Sequence, residues 1–88
     1  MPDATSAPSG LVTVRFFAAA REAAGRAETA VGATTLAGVI AALGANQALA
    51  AVLERSTFLV DGTRRTQDDP SVLEDGATVD VLPPFASG

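Results

Sequence analysis

Leu11-Val12-Thr13-Val14-Arg15-Phe16-Phe17 is the stretch on which the fold turns. It is β-branched and aromatic, with Val12, Val14 and Phe16 on one face and Thr13 and Arg15 on the other, the alternation of a half-buried strand. It runs directly into Ala18-Ala19-Ala20-Arg21-Glu22-Ala23-Ala24-Gly25. These are good helix formers closed by a glycine at the C′ position, which predicts a short helix of about two turns. Upstream, residues 1–10 are Pro, Ser, Thr, Ala and Gly with one acid. They carry too little apolar surface to offset the entropy of ordering and are expected to be a lead-in outside the domain.

Downstream, Arg26 to Val31 alternates weakly, with Ala27, Thr29 and Val31 opposite Arg26, Glu28 and Ala30. That is consistent with a strand returning beside the first. From Thr34 or Thr35 as N-cap, Leu36, Val39, Ile40 and Leu43 share one helical face, and Gly44 stands as a C′ candidate. Gly38 inside this main helix costs about 1 kcal/mol relative to alanine, so its presence is explained either by a close backbone approach to the sheet or by simple tolerance. Leu49, Val52 and Leu53 predict a second short helical turn.

Thr57-Phe58-Leu59-Val60 ends in Asp61-Gly62, the residue pair of a type I′ hairpin, with Thr63 to Thr66 returning. Asp68-Asp69-Pro70 reads as a turn, followed by a turn or single 3₁₀ turn carrying Val72 and Leu73. Glu74-Asp75-Gly76 turns the chain into Ala77 to Leu82, with Val79 and Val81 facing one way and Thr78 and Asp80 the other. Pro83-Pro84 ends that strand by removing ladder donors. The order predicts an α+β fold in which a mixed sheet of four to five strands grips one main helix: the β-grasp, or ubiquitin-like, architecture. Its domain is residues 11–82 with a tail at 83–88. The expected core is Val12, Val14, Phe16, Leu36, Val39, Ile40, Leu43, Phe58, Val60, Val79 and Val81.

The 88 residues suit one domain and one core. With no cysteine or histidine, disulfides, thiolate nucleophiles, imidazole bases and ordinary zinc or haem sites are excluded. The ten acids and six basic residues, all arginine, leave a formal charge of −4. That argues against nucleic acid, which demands a basic face. No apolar run approaches the roughly 20 residues of a membrane span, and the start has no positive n-region, so the expected compartment is the cytoplasm. Asp68-Asp69 and Glu74-Asp75 lack the spacing of a calcium loop and read as turn acids; no metal is expected. Arg64-Arg65 reads as a charged edge that discourages aggregation.

The unusual feature is the ending, a strand that passes through two prolines into Phe85-Ala86-Ser87-Gly88. Six extended residues from Pro83 reach roughly 20 Å, enough to enter a partner's pocket, and a terminal glycine lets that pocket be narrow.

Two segments give the chain a resemblance to the MoaD family of sulfur carriers, in the MoaD/ThiS superfamily. Val12-Thr13-Val14-Arg15-Phe16-Phe17-Ala18-Ala19-Ala20-Arg21-Glu22-Ala23-Ala24-Gly25 looks like the family's V-x-V-x-F/Y-F-A-x-x-R-E-x-x-G start. Asp75 to Gly88 looks like its D-G-D-x-V-x-x-x-P-P-x-x-G-G finish, with Ser87 in place of the first glycine of the pair. The resemblance implies the small subunit of molybdopterin synthase. Its Gly88 carboxylate is adenylated by a MoeB-like activating enzyme that uses ATP, converted to a thiocarboxylate, and inserted into a MoaE-like large subunit. There the sulfur passes to a cyclic pterin precursor. The chain itself binds no cofactor and supplies no catalytic side chain, and two small subunits assemble with two large ones. Other readings stay open: a carrier for thiamin, cysteine or tRNA thiolation, or a β-grasp binding module that has lost carrier activity.

On this reading Gly88 is the reacting terminus, and Pro83, Pro84, Phe85, Ala86 and Ser87 are the segment a partner receives. Phe85 either folds back on the core or anchors the tail in the partner. Leu59 and Leu82 lie on the strand faces opposite the core and are expected to form an apolar patch for the large subunit. Arg21 matches the family arginine and is expected either to meet an acidic partner group or to sit on a solvated helix face.

Overall fold

Alternation along Leu11–Phe16 becomes strand β1, with Val12, Val14 and Phe16 buried and Leu11 and Arg15 exposed. The computed structural model describes residues 11–84. The expected lead-in at 1–10, and tail residues Phe85, Ala86, Ser87 and Gly88, lie outside the described residues.

Helix α1 (Ala19–Ala24) ends at Gly25, whose φ of 76° is the left-handed conformation a C′ glycine adopts without penalty. Strand β2 (Glu28–Gly32) pairs antiparallel with β1. Helix α2 (Leu36–Leu43) is capped by Thr35, whose hydroxyl accepts from the Gly38 N–H at 3.1 Å. Gly38 has a structural reason: a β-carbon there would stand 3.3 Å from both the Ala33 methyl and the Thr35 hydroxyl.

Gly44 does not turn left-handed as expected of a C′ glycine. Its φ of −69° keeps helical geometry, and the chain passes through a tight turn into α3 (Gln47–Leu53). The second helical turn is thus a seven-residue helix with its own cap, Asn46, which accepts from the Leu49 N–H at 3.1 Å. The Asn46 side-chain amide also donates to the Ala23 carbonyl at 3.1 Å, tying α3 to the end of α1.

Strand β3 (Thr57–Val60) and β4 (Thr63–Arg65) form a hairpin. Its Asp61 and Gly62 both have positive φ, 51° and 86°, as a type I′ turn requires. The turn at 68–76 contains no 3₁₀ helix. Instead Val72 bridges Thr35 with its side chain 71% exposed, while Leu73 is buried and its N–H bonds the Thr34 carbonyl at 2.7 Å. Strand β5 (Thr78–Leu82) then enters the middle of the sheet, giving the order β2-β1-β5-β3-β4. It is parallel to β1 and antiparallel to β3.

The five-stranded mixed sheet with helices packed on one face is the expected β-grasp fold. Ten of the eleven expected core residues are buried; Ile40 packs against the core but stays half-buried. Ala20, Leu49, Leu53, Leu73 and Ala77 join the core in addition.

Candidate functional site

With its helices on one face, the sheet leaves the other open, and the register decides which side chains meet there. Arg15 pairs with Glu28 on one side and Asp80 on the other, and Asp80 pairs in turn with Leu59, which faces Arg64. One row across the sheet therefore reads Glu28, Arg15, Asp80, Leu59, Arg64. The next begins with Phe17, just past the Phe16–Val81 pair, and continues through Leu82 and its partner Thr57.

The charges at the centre of the first row are consumed locally. Arg15 Nε donates to Asp80 Oδ1 at 2.7 Å and its terminal nitrogen to Oδ2 at 3.0 Å, a bidentate pair. The hydrogen bond to Asp80, and then its charge, holds the guanidinium pKa above the ordinary value. The same guanidinium lies 5.7 Å from the centre of the Phe17 ring. Beside this neutralised pair, Phe17, Leu82 and Leu59 supply an apolar strip, Phe17 exposed and the two leucines half-buried.

The strip borders the place where the chain leaves the sheet. Because β1 and β5 run parallel, the Phe17-Ala18 turn and Leu82-Pro83 depart from the same end; the Phe17 N–H bonds the Val81 carbonyl at 3.3 Å. Pro83 is half-buried and Pro84 exposed, and with no N–H groups they end the ladder. Leu59, Leu82 and Pro83 are thus brought together at the root of the segment that leads to Phe85, Ala86, Ser87 and Gly88.

Arg21 is elsewhere. It is exposed on α1 and lines a concavity with Ala18, Gly25 and Arg26, not the open sheet face. Phe17 was missed in reading the sequence, although it continues the outward series Leu11, Thr13, Arg15. Asp69 serves its own turn: the Ser71 N–H donates to it at 2.8 Å, and hydrogen bonds from Ser71 hold its carboxyl below the ordinary range. Arg65 sits 3.8 Å from Asp69 on the edge strand β4. Among the described residues no group of three acids is placed to hold a metal ion, and no helix is long and apolar enough to cross a membrane.

A family model described as the ThiS family matches residues 14–88. The small archaeal modifier protein 1 of Methanosarcina acetivorans is similar in structure, with TM-score 0.77 and 22% identity, over 93% of this chain and 100% of that one. A Haloferax volcanii protein, HVO 2177, matches with TM-score 0.74 and 27% identity over 99% of this chain and 94% of its own. A chain in the complex of subunits 1 and 2 of molybdopterin-converting factor from Helicobacter pylori matches with TM-score 0.70 and 23% identity, over 89% and 99% respectively. No curated protein matches the chain in sequence.

Proposed function

The chain belongs to the ThiS family of ubiquitin-like sulfur carriers, and on that premise we propose that it is the sulfur-carrying small subunit of a molybdopterin synthase. The observation that carries this reading is the apolar strip of Phe17, Leu82 and Leu59 at the root of the Pro83-Pro84 exit, a surface for a large subunit beside a tail for its pocket.

The carboxylate of Gly88 attacks the α-phosphorus of ATP on an activating enzyme, releasing pyrophosphate and leaving an acyl-adenylate. A persulfide-type sulfur donor displaces AMP, and reductive cleavage by a thiol leaves the thiocarboxylate. In the large subunit that sulfur attacks the pterin precursor, and hydrolysis of the acyl–sulfur bond returns the carboxylate. This chain's residues hold the tail and present it. The reaction needs no side-chain nucleophile from it, which suits a sequence without cysteine, histidine or lysine.

Ser87 favours a second reading, a binding module that is no longer activated, because its β-carbon thickens the tail and removes easy access to positive φ. Intact-protein mass spectrometry after incubation with ATP, an activating enzyme and a sulfur source separates the two. Replacement of one oxygen by sulfur, lost on deleting Gly88, supports the carrier. No change, while Ser87→Gly does react, supports the module. Transfer from the loaded chain to a pterin precursor, measured with a large subunit, distinguishes molybdopterin synthesis from other thiolation pathways.

A further inference from the structure

The polar pair at the centre of the open face is closed on one side and open on the other. Arg15 Nε and Nη2 engage Oδ1 and Oδ2 of Asp80 at 2.7 and 3.0 Å, so both carboxylate oxygens are taken and the two charges cancel. The guanidinium keeps a second, outer edge. Its Nη1, and the other N–H of Nη2, donate to nothing among the described residues. The arginine is also the accessible member of the pair, its side chain 49% exposed against 13% for Asp80.

The pair is enclosed by the apolar strip. Leu59 is the cross-strand partner of Asp80 on the side away from Arg15. Leu82 lies two residues beyond Asp80 on the same face, and Phe17 two beyond Arg15, its ring centre 5.7 Å from the guanidinium carbon. A body that covers Phe17, Leu82 and Leu59 therefore covers the pair as well, and takes the outer edge of Arg15 out of water. An apolar group set against that edge leaves its N–H donors buried and unpaired. A carboxylate brings a second negative charge to a guanidinium that Asp80 already balances, with Glu28 next in the same row, and leaves a net anion in a dry interface. An amide carbonyl satisfies the donors and adds no charge.

We infer that Arg15 is a specificity-determining residue of the open face: neutralised and held by Asp80, its outer edge reads an amide carbonyl on the protein that covers Phe17, Leu82 and Leu59. Asp80 is a positioning residue, fixing the guanidinium before the partner arrives, so that little rotamer freedom is lost on binding. The inference rests on the carrier reading for the identity of that partner, a large subunit. What it adds is the chemistry the partner presents at the middle of the contact.

Calorimetric titration of the full chain with its cognate large subunit tests this. Arg15→Met combined with Asp80→Leu removes the pair without changing net charge and leaves the apolar strip in place. Affinity is expected to fall about tenfold, because a buried carbonyl of the partner loses its donor. The factor should be the same at about 0.05 M and about 0.5 M salt, since no net charge is lost. Arg15→Lys keeps the charge beside Asp80 but not the two-edged fork, and should weaken binding in the same direction. Unchanged or tighter binding by the double variant would put an apolar surface over Arg15, and a loss that shrinks at high salt would put a carboxylate there. Either result, or parent-like affinity in Arg15→Lys, overturns the inference and leaves the carrier reading standing. Failure of the parent chain to bind the large subunit would overturn both.

Discussion

Arg15 and Asp80, 65 residues apart in sequence, meet across the only parallel strand pair among the described residues, with both guanidinium–carboxylate bonds at 3.0 Å or less. Arg15 is half exposed while Asp80 is largely covered, so the carboxylate depends on the pair more than the guanidinium does. Asp80→Asn and Arg15→Gln are each expected to lower the melting temperature slightly, and the double variant by less than their sum. Molar salt should shrink the coupling, as for any exposed ion pair. A double-mutant cycle with coupling near zero at low salt would contradict this.

Ala18 has φ 51° and ψ −126°, a conformation that only glycine adopts without strain. Ala18→Gly is expected to raise unfolding free energy by about 1 kcal/mol. The Ala18 carbonyl still accepts from Arg21 and Glu22, so α1 begins unchanged. Urea denaturation measures it; a loss of stability would show that the strain is not there.

Gly38→Ala reverses the usual rule. Helix propensity alone predicts a gain of about 1 kcal/mol, but the new methyl crowds the Thr35 hydroxyl that caps the same helix. The expected result is no gain or a net loss of about 1 kcal/mol, the size of a lost cap. Thermal melts of Gly38→Ala and Thr35→Ala, singly and together, should be non-additive.

Asp69 makes stability pH-dependent. Its folded pKa lies below the ordinary range, so its contribution is present at neutral pH, above the unfolded pKa. It is lost as pH falls through the folded value. Asp69→Asn should therefore be less stable than the parent at pH 7 and converge with it in strong acid, by urea midpoints across that range.

Leu59→Arg adds charge to the apolar strip without touching the core. On the proposed function, affinity for a large subunit should fall by about tenfold or more, with the melting temperature unchanged within a degree or so and sulfur loading at Gly88 no different from the parent's. Phe58→Ala, one residue away but pointing inward and 1% exposed, is expected to cost about 3–5 kcal/mol. That is a large share of what a domain this size holds, so loss of the fold should follow.

Much of this was legible in the sequence because strand and helix periods are local. The alternation through Leu11–Phe16, a threonine cap at 34 or 35, and the two positive-φ residues of Asp61-Gly62 each need only a few neighbouring residues to be read. What escaped depends on distant chain. Gly44 stays helical because α3 follows at once, and Leu49 and Leu53 are core residues because α3 docks beside α1. Of the turn or single 3₁₀ turn expected at Val72 and Leu73, the structure has the turn, and the bridge from Val72 to Thr35 joins residues distant in the chain. At the candidate site the outward leucines were found by parity, whereas the pairing of Arg15 with Asp80 required knowing that the first and last strands are neighbours. Arg21, expected either to meet an acidic partner group or to sit on a solvated helix face, is exposed on α1, on a different surface from Leu59 and Leu82.

The central position of β5 also bears on synthesis. β1·β2 and β3·β4 are two antiparallel pairs that share no ladder; they are joined into one sheet only when residues 78–82 slide between them. A nascent chain on the ribosome therefore holds two unfinished half-sheets, and the closing of the gap is a late, all-or-none event of high contact order. Chains arrested before Thr78 should remain open to protease, and those extended past Leu82 with enough linker to clear the ribosome should resist it. The strand that leads to the C-terminal segment is thus also the keystone of the sheet, so on the proposed function a misfolded copy would have no rooted tail to offer a partner.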